Sequence, residues 1–378
     1  MRILLLELEY PMNDQIIMIT PLITLRDGVC THSRDMVYGL NKAGVSVHVF
    51  TPTIKGFLYQ GLHSEGTAEA VNTPSKVTIE ELPSSLPIYI QYALGSYWFG
   101  NLRLHRFAKK QANRRKLIFG FHEAKRDLQI LRKLGNFIYG KALQRADKIV
   151  AFSHASSNAL AALTHKKIET YPLGVPKIYA TPDSLPEIPT FVLFGYYLKD
   201  KGFEIGLEAF NRLSESTDKE LRLVIICSLR QRVGSSRIKS RSDKRQYSEF
   251  IAKVEGSHFR DRIDLHGFVS ADKLREILQK SHYILMPYLN STQSIVAVSA
   301  KQFGTPVITS NLPTLMESFG NSGIYVNSFD PEDWSAALLK LVENDAFFEE
   351  RKKRAELLRE MAFNQSMEQI ALNIIKID

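Results

Sequence analysis

Residues 285–310 read LMPYLNSTQSIVAVSAKQFGTPVITS, and this stretch decides the fold. The apolar run of Leu285 and Met286 ends at Pro287, and Asn290, Ser291, Thr292, Gln293 and Ser294 form a loop of small hydrogen-bonding side chains. Residues 295–303 are apolar enough for a buried helix, with Gly304 as its stop. Pro306 then opens a second strand through Val307, Ile308 and Thr309. The unit is strand, loop, helix, strand. In an open parallel sheet, the loop leaving a strand's carboxyl end is the usual ligand position. The helix start behind it offers unpaired N–H groups and a partial positive charge, which suits a phosphate.

The same alternation extends outward. Upstream, strands are expected at 190–196, 221–227, 262–266 and 283–286, and helices at 202–214, around 245–256 and at 270–280. Downstream, Asp330-Pro331 places an N-cap and a first-position proline at a helix start, and charged 346–361 and amphipathic 364–377 read as further helices. The amino-terminal half repeats the pattern, with strands expected at 2–8, 45–51, 76–82, 116–121 and 148–153. Its helices are expected at 28–43, 90–115, 126–146 and 156–163. Such alternation indicates α/β architecture with doubly wound parallel sheets. Residues 176–189, PKIYATPDSLPEIP, hold four prolines without periodicity and read as a linker. The expected organisation is a first Rossmann-like domain at 1–178, a linker at 179–189, a second at 190–362 and a closing helix at 363–378. A cleft between two such domains is a natural ligand site.

At 378 residues, the chain has room for two full cores. No apolar run reaches the ~18–20 residues of a membrane span, and MRILLLELEY reads as a first strand rather than a secretion signal. A cytoplasmic location is therefore expected. Cys30 and Cys227 lie far apart and suggest neither a disulfide framework nor a zinc site. The net charge of +9 is concentrated. Between residues 101 and 145, thirteen Lys and Arg face only Glu123 and Asp127, and a second basic run spans 230–245. Such runs suit an anionic surface or substrate. Basic helices that also carry aromatics and leucines fit a peripheral contact with an anionic membrane through residues 102–145. The interleaved aromatics of a nucleic-acid groove are missing, so nucleic acid is not the expected partner.

In the second half, Phe191 to Phe203 reads FVLFGYYLKDKGF, and Lys201 sits where a helix begins beside the cleft. Here a lysine can neutralise a phosphate. The segment Gly195-Tyr196-Tyr197-Leu198-Lys199-Asp200-Lys201-Gly202 resembles the G-R-x-x-x-x-K-G segment of family 4 glycosyltransferases. Leu265-His266-Gly267-Phe268-Val269 is similar to that family's hydrophobic-x-G-x-V strand, and Gly304-Thr305-Pro306-Val307-Ile308 to its G-[TK]-P-V-[IV] strand. Residues 330–341 look like its D-P-x-x-[LW]-A-x-A-[IL] helix. In the first half, Gly28-Val29-Cys30-Thr31-His32-Ser33-Arg34-Asp35 resembles G-V-x-x-H-x-R-D, and Pro172-Leu173-Gly174-Val175 resembles P-[HNL]-G-[VI]. The resemblance covers nearly the whole chain. It implies the GT-B fold, two Rossmann-like domains facing across a cleft, with a last helix crossing back onto the first domain.

The departures fall at the site. The family's two glutamates, eight positions apart, correspond to Ser291 and Ser299, and its arginine to Tyr196. Pro287-Tyr288 with Ser291-Thr292-Gln293-Ser294 resembles a branch with a P-Y-x-x-[ST]-x-Q-S loop that also lacks the second glutamate.

The resemblance implies a retaining glycosyltransferase of hexosyltransferase type. It would move a sugar from a UDP- or GDP-linked donor to a glycan or lipid-linked acceptor in cell-surface polysaccharide synthesis. Growing charge on the leaving diphosphate needs stabilisation. Lys201 supplies a cation, and the N–H groups and hydroxyls around Thr292 and Ser294 supply hydrogen bonds. If protein groups do this work, no metal or other cofactor is needed. His122 ends the strand KLIFGFH at the cleft and, with Lys201, is the expected catalytic group. Donor contacts are expected from Gly28, Gly195, Tyr196, Lys201, Ser291, Thr292, Gln293, Ser294, Ser299 and Glu317, and acceptor contacts from His32 and Arg34. The alternative is a non-catalytic GT-B protein that binds a nucleotide sugar or a partner chain, for which the paired serines are the best support.

Overall fold

The computed structural model describes residues 14–21, 28–53, 56–64, 77–92, 100–122, 132–180, 182, 184–229, 240–291 and 293–376. The strand expected at 2–8 lies outside them, as do Thr292, residues 123–131 and most of the second basic run.

The first sheet has seven strands in the order β3-β2-β1-β4-β5-β6-β7. These are β1 (Gln15–Ile19), β2 (Ser46–Pro52), β3 (Phe57–His63), β4 (Ile88–Tyr92), β5 (Leu117–Phe121), β6 (Lys148–Ala151) and β7 (Ile168–Thr170). Among the described residues, only the β2–β3 pair of this sheet is antiparallel. Helices α1 (Gly28–Lys42), α2 (Gly100–Gln111), α3 (Arg132–Arg145) and α4 (His154–Ala161) connect its strands. The second sheet is parallel and six-stranded, in the order β10-β9-β8-β11-β12-β13. Its strands are β8 (Thr190–Tyr196), β9 (Arg222–Ser228), β10 (Ile263–His266), β11 (Tyr283–Met286), β12 (Val307–Ser310) and β13 (Ile324–Val326). Between and after them run α5 (Phe203–Ser216), α6 (Ser240–Glu255), α7 (Ala271–Gln279), α8 (Ile295–Phe303), α9 (Pro313–Phe319), α10 (Pro331–Val342), α11 (Phe347–Asn364) and α12 (Met367–Ile375).

Strand order reverses between β1 and β4 in one sheet and between β8 and β11 in the other. Each reversal opens a crevice at the carboxyl ends of the strands, and the two crevices face the same cavity. The chain has the GT-B fold.

The closing helix crosses back as the sequence implied. In α12, Met367, Ile370, Ala371 and Ile374 join the core that β1, β2 and α1 bury on one face of the first sheet. Two glycines admit it. A Cβ on Gly39 would lie 2.7 Å from Met367 Cγ, and one on Gly174 would lie 2.8 Å from Met367 Cα. Val175 and Gln365 complete the junction, Val175 N–H donating to the Gln365 carbonyl at 2.8 Å. Ile295 and Val298 of α8 pack on the same core, so the second sheet's central helix also touches the first sheet.

Two expected elements are corrected. Of the strand expected at 76–82, the described residues 77–82 form none, because a 3₁₀ turn, Ile79–Glu81, stands there. Thr78 N–H donates to Glu81 Oε2 at 2.9 Å, half of a capping box that the Thr-x-x-Glu spacing encodes. Residues 90–115 are not one helix either. They begin inside β4, which is buried at all five positions, and the described helix starts at Gly100. A short apolar run covered on both faces has no period to separate strand from helix. Strands β3, β7 and β13 and helix α9 were not expected.

Candidate functional site

A cavity of about 630 Å³ lies between the two sheets. Its walls begin at the starts of two helices. Gly28 opens α1 and Ile295 opens α8, and an added Cβ at Gly28 would sit 3.5 Å from Ile295 Cγ1. Both residues line the cavity. Two helix N-termini, one from each sheet, thus converge on one space, each contributing partial positive charge. At α8, Ser294 is the N-cap and its side chain accepts from Ala297 N–H, while Ile295 and Val296 face the cavity.

Lys201 lines the same space from a 3₁₀ turn, Lys199–Lys201, after β8. Its ammonium lies 3.7 Å from the centroid of the Tyr288 ring. This turn is pinned to the loop after β11, since Leu289 N–H donates to the Asp200 carbonyl at 2.9 Å. Gly202 follows at φ 63°, and a Cβ there would collide with the Pro287 carbonyl. Only glycine combines that backbone with that approach. Gly195, also left-handed at φ 139°, and Tyr196 line the cavity beside Lys201.

The first sheet contributes His32, Arg34 and His122. Arg34 Nη2 donates to Thr31 Oγ1 at 2.9 Å, which holds it along the first turns of α1. His32 and His122 meet edge to face with ring centroids 4.8 Å apart, and Phe152 packs against both. Burial, with His122 beside it, holds the His32 imidazole well below its ordinary range. Between the histidines lies Gln91 of β4, which is fully buried. Its Nε2 is 2.7 Å from His32 Nδ1 and also bonds His122 Nε2, while its Oε1 accepts from Tyr89. On the far side, His122 Nδ1 lies 2.9 Å from Gln293 Oε1, across the cleft.

The expected site residues therefore divide. Gly28, His32, Arg34, His122, Gly195, Tyr196, Lys201, Gln293, Ser294 and Ser299 all line the cavity. Ser291 does not. It is buried, and its carbonyl accepts from Thr314 Oγ1 at 2.8 Å. Glu317 does not either. Both its carboxylate oxygens lie 3.2 Å from His154 N, so it caps α4 of the first sheet from α9 of the second. Helix capping accounts for the position of this acid.

Sequence reasoning missed Gln91 and Tyr179. Tyr179 falls in the expected linker, yet it stacks on Phe303 at 5.3 Å and forms part of the cavity wall. Proline content hid it. Gln91 had no signal, being one polar residue inside a buried apolar run. Among the described lining residues, Asp272 is the sole carboxylate, and it pairs with Arg275 at 3.2 Å. Among the described residues, no group of three His, Cys, Asp or Glu is placed to hold a metal ion.

Residues 188–344 match the family described as Glycosyl transferases group 1. A D-inositol 3-phosphate glycosyltransferase of Nocardioides sp. is 37% identical over 82 residues, which is 21% of this chain and 18% of that protein. The O-antigen chain mannosyltransferase RfbU of Salmonella typhimurium is 28% identical over 79 residues, 21% of this chain and 22% of that protein. The chain thus aligns with about a fifth of these relatives' length. Sucrose-phosphate synthase from Thermosynechococcus elongatus superposes with a TM-score of 0.67 at 16% identity, covering 95% of this chain and 97% of that one. Anabaena HepE in complex with UDP-glucose gives 0.66 at 12% identity, covering 95% and 98%.

Proposed function

We propose that this chain, whose residues 188–344 match the Glycosyl transferases group 1 family, is a retaining glycosyltransferase of hexosyltransferase type. It moves a sugar from a nucleotide sugar to a glycan or lipid-linked acceptor. One observation carries the reading: two helix N-termini and the cations Lys201 and Arg34 border a single cavity at both topological switch points. A leaving nucleoside diphosphate gains negative charge as the glycosidic bond breaks, and fixed positive groups in a cleft stabilise that charge. Lys201 rests over the Tyr288 ring, a contact that favours its position beside the cavity before a diphosphate arrives. The second sheet's side supplies the donor subsite through Gly195, Tyr196, Lys201, Ser294 and Ser299. On the first sheet's side, His32 and Arg34 suit an acceptor. His122 and Gln293 stand between the two.

Protein groups suffice for charge neutralisation in this scheme, so turnover is expected to be metal-independent. Domain limits at 178 and 189 are proposed with it, supported by the gap between Thr170, where β7 ends, and Thr190, where β8 begins, with Tyr179 in the cavity wall. Peripheral membrane attachment is supported by Phe137, which is 62% exposed with Lys141 5.4 Å from its ring, and by exposed Arg106, Lys109 and Lys110. Among the described residues, no helix is long and apolar enough to cross a membrane. An acceptor on a membrane surface fits such a face, in keeping with cell-surface glycan synthesis.

The test is thermal stabilisation by a panel of nucleoside diphosphates and nucleotide sugars, on the wild type and on Lys201→Ala. A ligand that binds only the folded state raises the midpoint. The expected result is a shift with one base, weakened in Lys201→Ala, followed by transfer of labelled sugar from that donor with an unchanged anomeric configuration. A shift without transfer to any acceptor favours the non-catalytic reading, for which Ser291 and Ser299 in place of carboxylates speak. No shift at millimolar nucleotide overturns the donor assignment.

A further inference from the structure

We propose that Gln91 is a positioning residue that fixes the tautomers of both cleft histidines. It holds His32 as the Nε2–H form and His122 as the Nδ1–H form. The functional weight of this inference rests on the glycosyltransferase reading, but its structural content does not.

Tyr89 donates its O–H to Gln91 Oε1, which turns the two amide hydrogens toward the histidines. Each then needs an acceptor, and the atoms waiting are His32 Nδ1 at 2.7 Å and His122 Nε2. A ring nitrogen that accepts carries no hydrogen, so the neutral ring's hydrogen must sit on the other nitrogen. For His122 that nitrogen is Nδ1, which is 2.9 Å from the Gln293 oxygen and donates to it. Every bond from Tyr89 to Gln293 is then satisfied in one direction. Changing the tautomer of either ring alone sets its N–H against an amide N–H.

Two consequences follow. First, protonating either ring would place an N–H against an amide N–H, so Gln91 keeps both imidazoles neutral. His122 then acts as a hydrogen-bond donor that aligns the Gln293 loop, not as a store of protons. Second, the remaining hydrogen of His32 is on Nε2, which is buried and has no acceptor among the described residues. A buried donor without an acceptor costs on the order of 1–3 kcal/mol. A hydroxyl or phosphate oxygen of an acceptor substrate is the chemistry that would take it. The titratable groups facing the pair are the two histidines and Tyr89, with Arg34 and Lys201 elsewhere on the same cavity wall.

The experiment is long-range ¹H–¹⁵N NMR of the full chain labelled in its histidine rings, without ligand, from pH 8 to pH 5.5. His32→Asn and His122→Asn spectra assign the signals. The expected wild-type result is an Nδ1–H signature for His122, an Nε2–H signature for His32, and no imidazolium for either over that range. In Gln91→Glu a carboxylate replaces the donor. It accepts from the rings, and at least one of them becomes imidazolium within the range. In Gln91→Met the fixed Nδ1–H signature of His122 is lost. A purely structural glutamine would lower the thermal midpoint in both variants while leaving ring tautomers and titration as in the wild type, and that outcome overturns the proposal. So does an Nε2–H signature for His122 in the wild type. No substrate enters these measurements, so their outcome is independent of whether sugar transfer is found.

Discussion

His122 Nδ1 lies 2.9 Å from the amide oxygen of Gln293, joining the carboxyl end of β5 to the loop that starts α8. One hydrogen bond thus spans the cleft between the two sheets, at the place where the proposed function sets donor against acceptor. Removing the ring should cost catalysis more than stability. His122→Ala is expected to lower kcat by roughly 10²-fold, the scale on which a positioned polar group acts on a transition state. Gln293→Leu should lose a comparable factor, because both ring nitrogens of His122 are engaged within the protein and its action runs through this alignment. Steady-state rates with the donor found by thermal shift check both. Rates within about twofold of wild type for His122→Ala would remove it from the catalytic assignment.

Gly202 and Gly44 both have left-handed backbones, at φ 63° and 83°, but only Gly202 is crowded. An alanine at either position pays about 1–2 kcal/mol for the left-handed conformation. At Gly202 the new methyl also meets the Pro287 carbonyl, whereas at Gly44 it meets nothing within 4 Å. Gly202→Ala should therefore be the more destabilising in urea, and it alone should abolish nucleotide-induced stabilisation, because the turn that carries Lys201 must move.

Acid should weaken the fold through its buried histidines. Burial, with His122 beside it, keeps His32 well below its ordinary range, and burial, with Arg351 nearby, lowers His282 to about 4. Unfolded histidine takes up a proton near ~6.5. Between that pH and the folded value the unfolded chain binds more protons, so stability falls as pH drops through this window. Asp35 works in the opposite sense. Burial raises it to about 7, so the folded chain keeps a proton that the unfolded chain has released. Comparing urea midpoints of the wild type and His32→Asn at pH 7.5, 6.0 and 5.0 separates the terms. The wild type's advantage should shrink as pH falls, and a constant difference would contradict the histidine assignment.

The closing helix depends on two glycines that touch Met367. Gly39→Ala would press a methyl to 2.7 Å from Met367 Cγ and 2.8 Å from its carbonyl oxygen, where backbone cannot yield easily. A loss of about 1–3 kcal/mol is expected, typical of overpacking, together with faster proteolysis around residues 365–367. Met367→Ala leaves a cavity instead and should cost about 2–5 kcal/mol. If Gly39→Ala keeps the wild-type midpoint and cleavage rate, α12 is not held by this contact.

The two alternations of strand and helix were legible in local pattern, while the crossing of the last helix came from the family resemblance, and ten of the residues that line the cavity were expected from the two together. Lys201-Gly202 opens a helix, His122 ends an apolar strand, and Gln293-Ser294 precede a buried helix, so their strand-end positions follow from spacing alone. Tertiary structure decided the rest. Gln91 is one amide in the buried run of β4, and its role exists only because β4 lies between β1 and β5, bringing His32 and His122 to either side of it. Glu317 looked like a ligand-binding acid until the approach of α4 gave it a helix terminus to cap. Ser291 and Ser299 look alike in the sequence, yet one is buried with its carbonyl bonded by Thr314 and the other lines the cavity. Periodicity fixes which way a residue points within its own element, but what it meets is set by strand order and by how the two sheets pack.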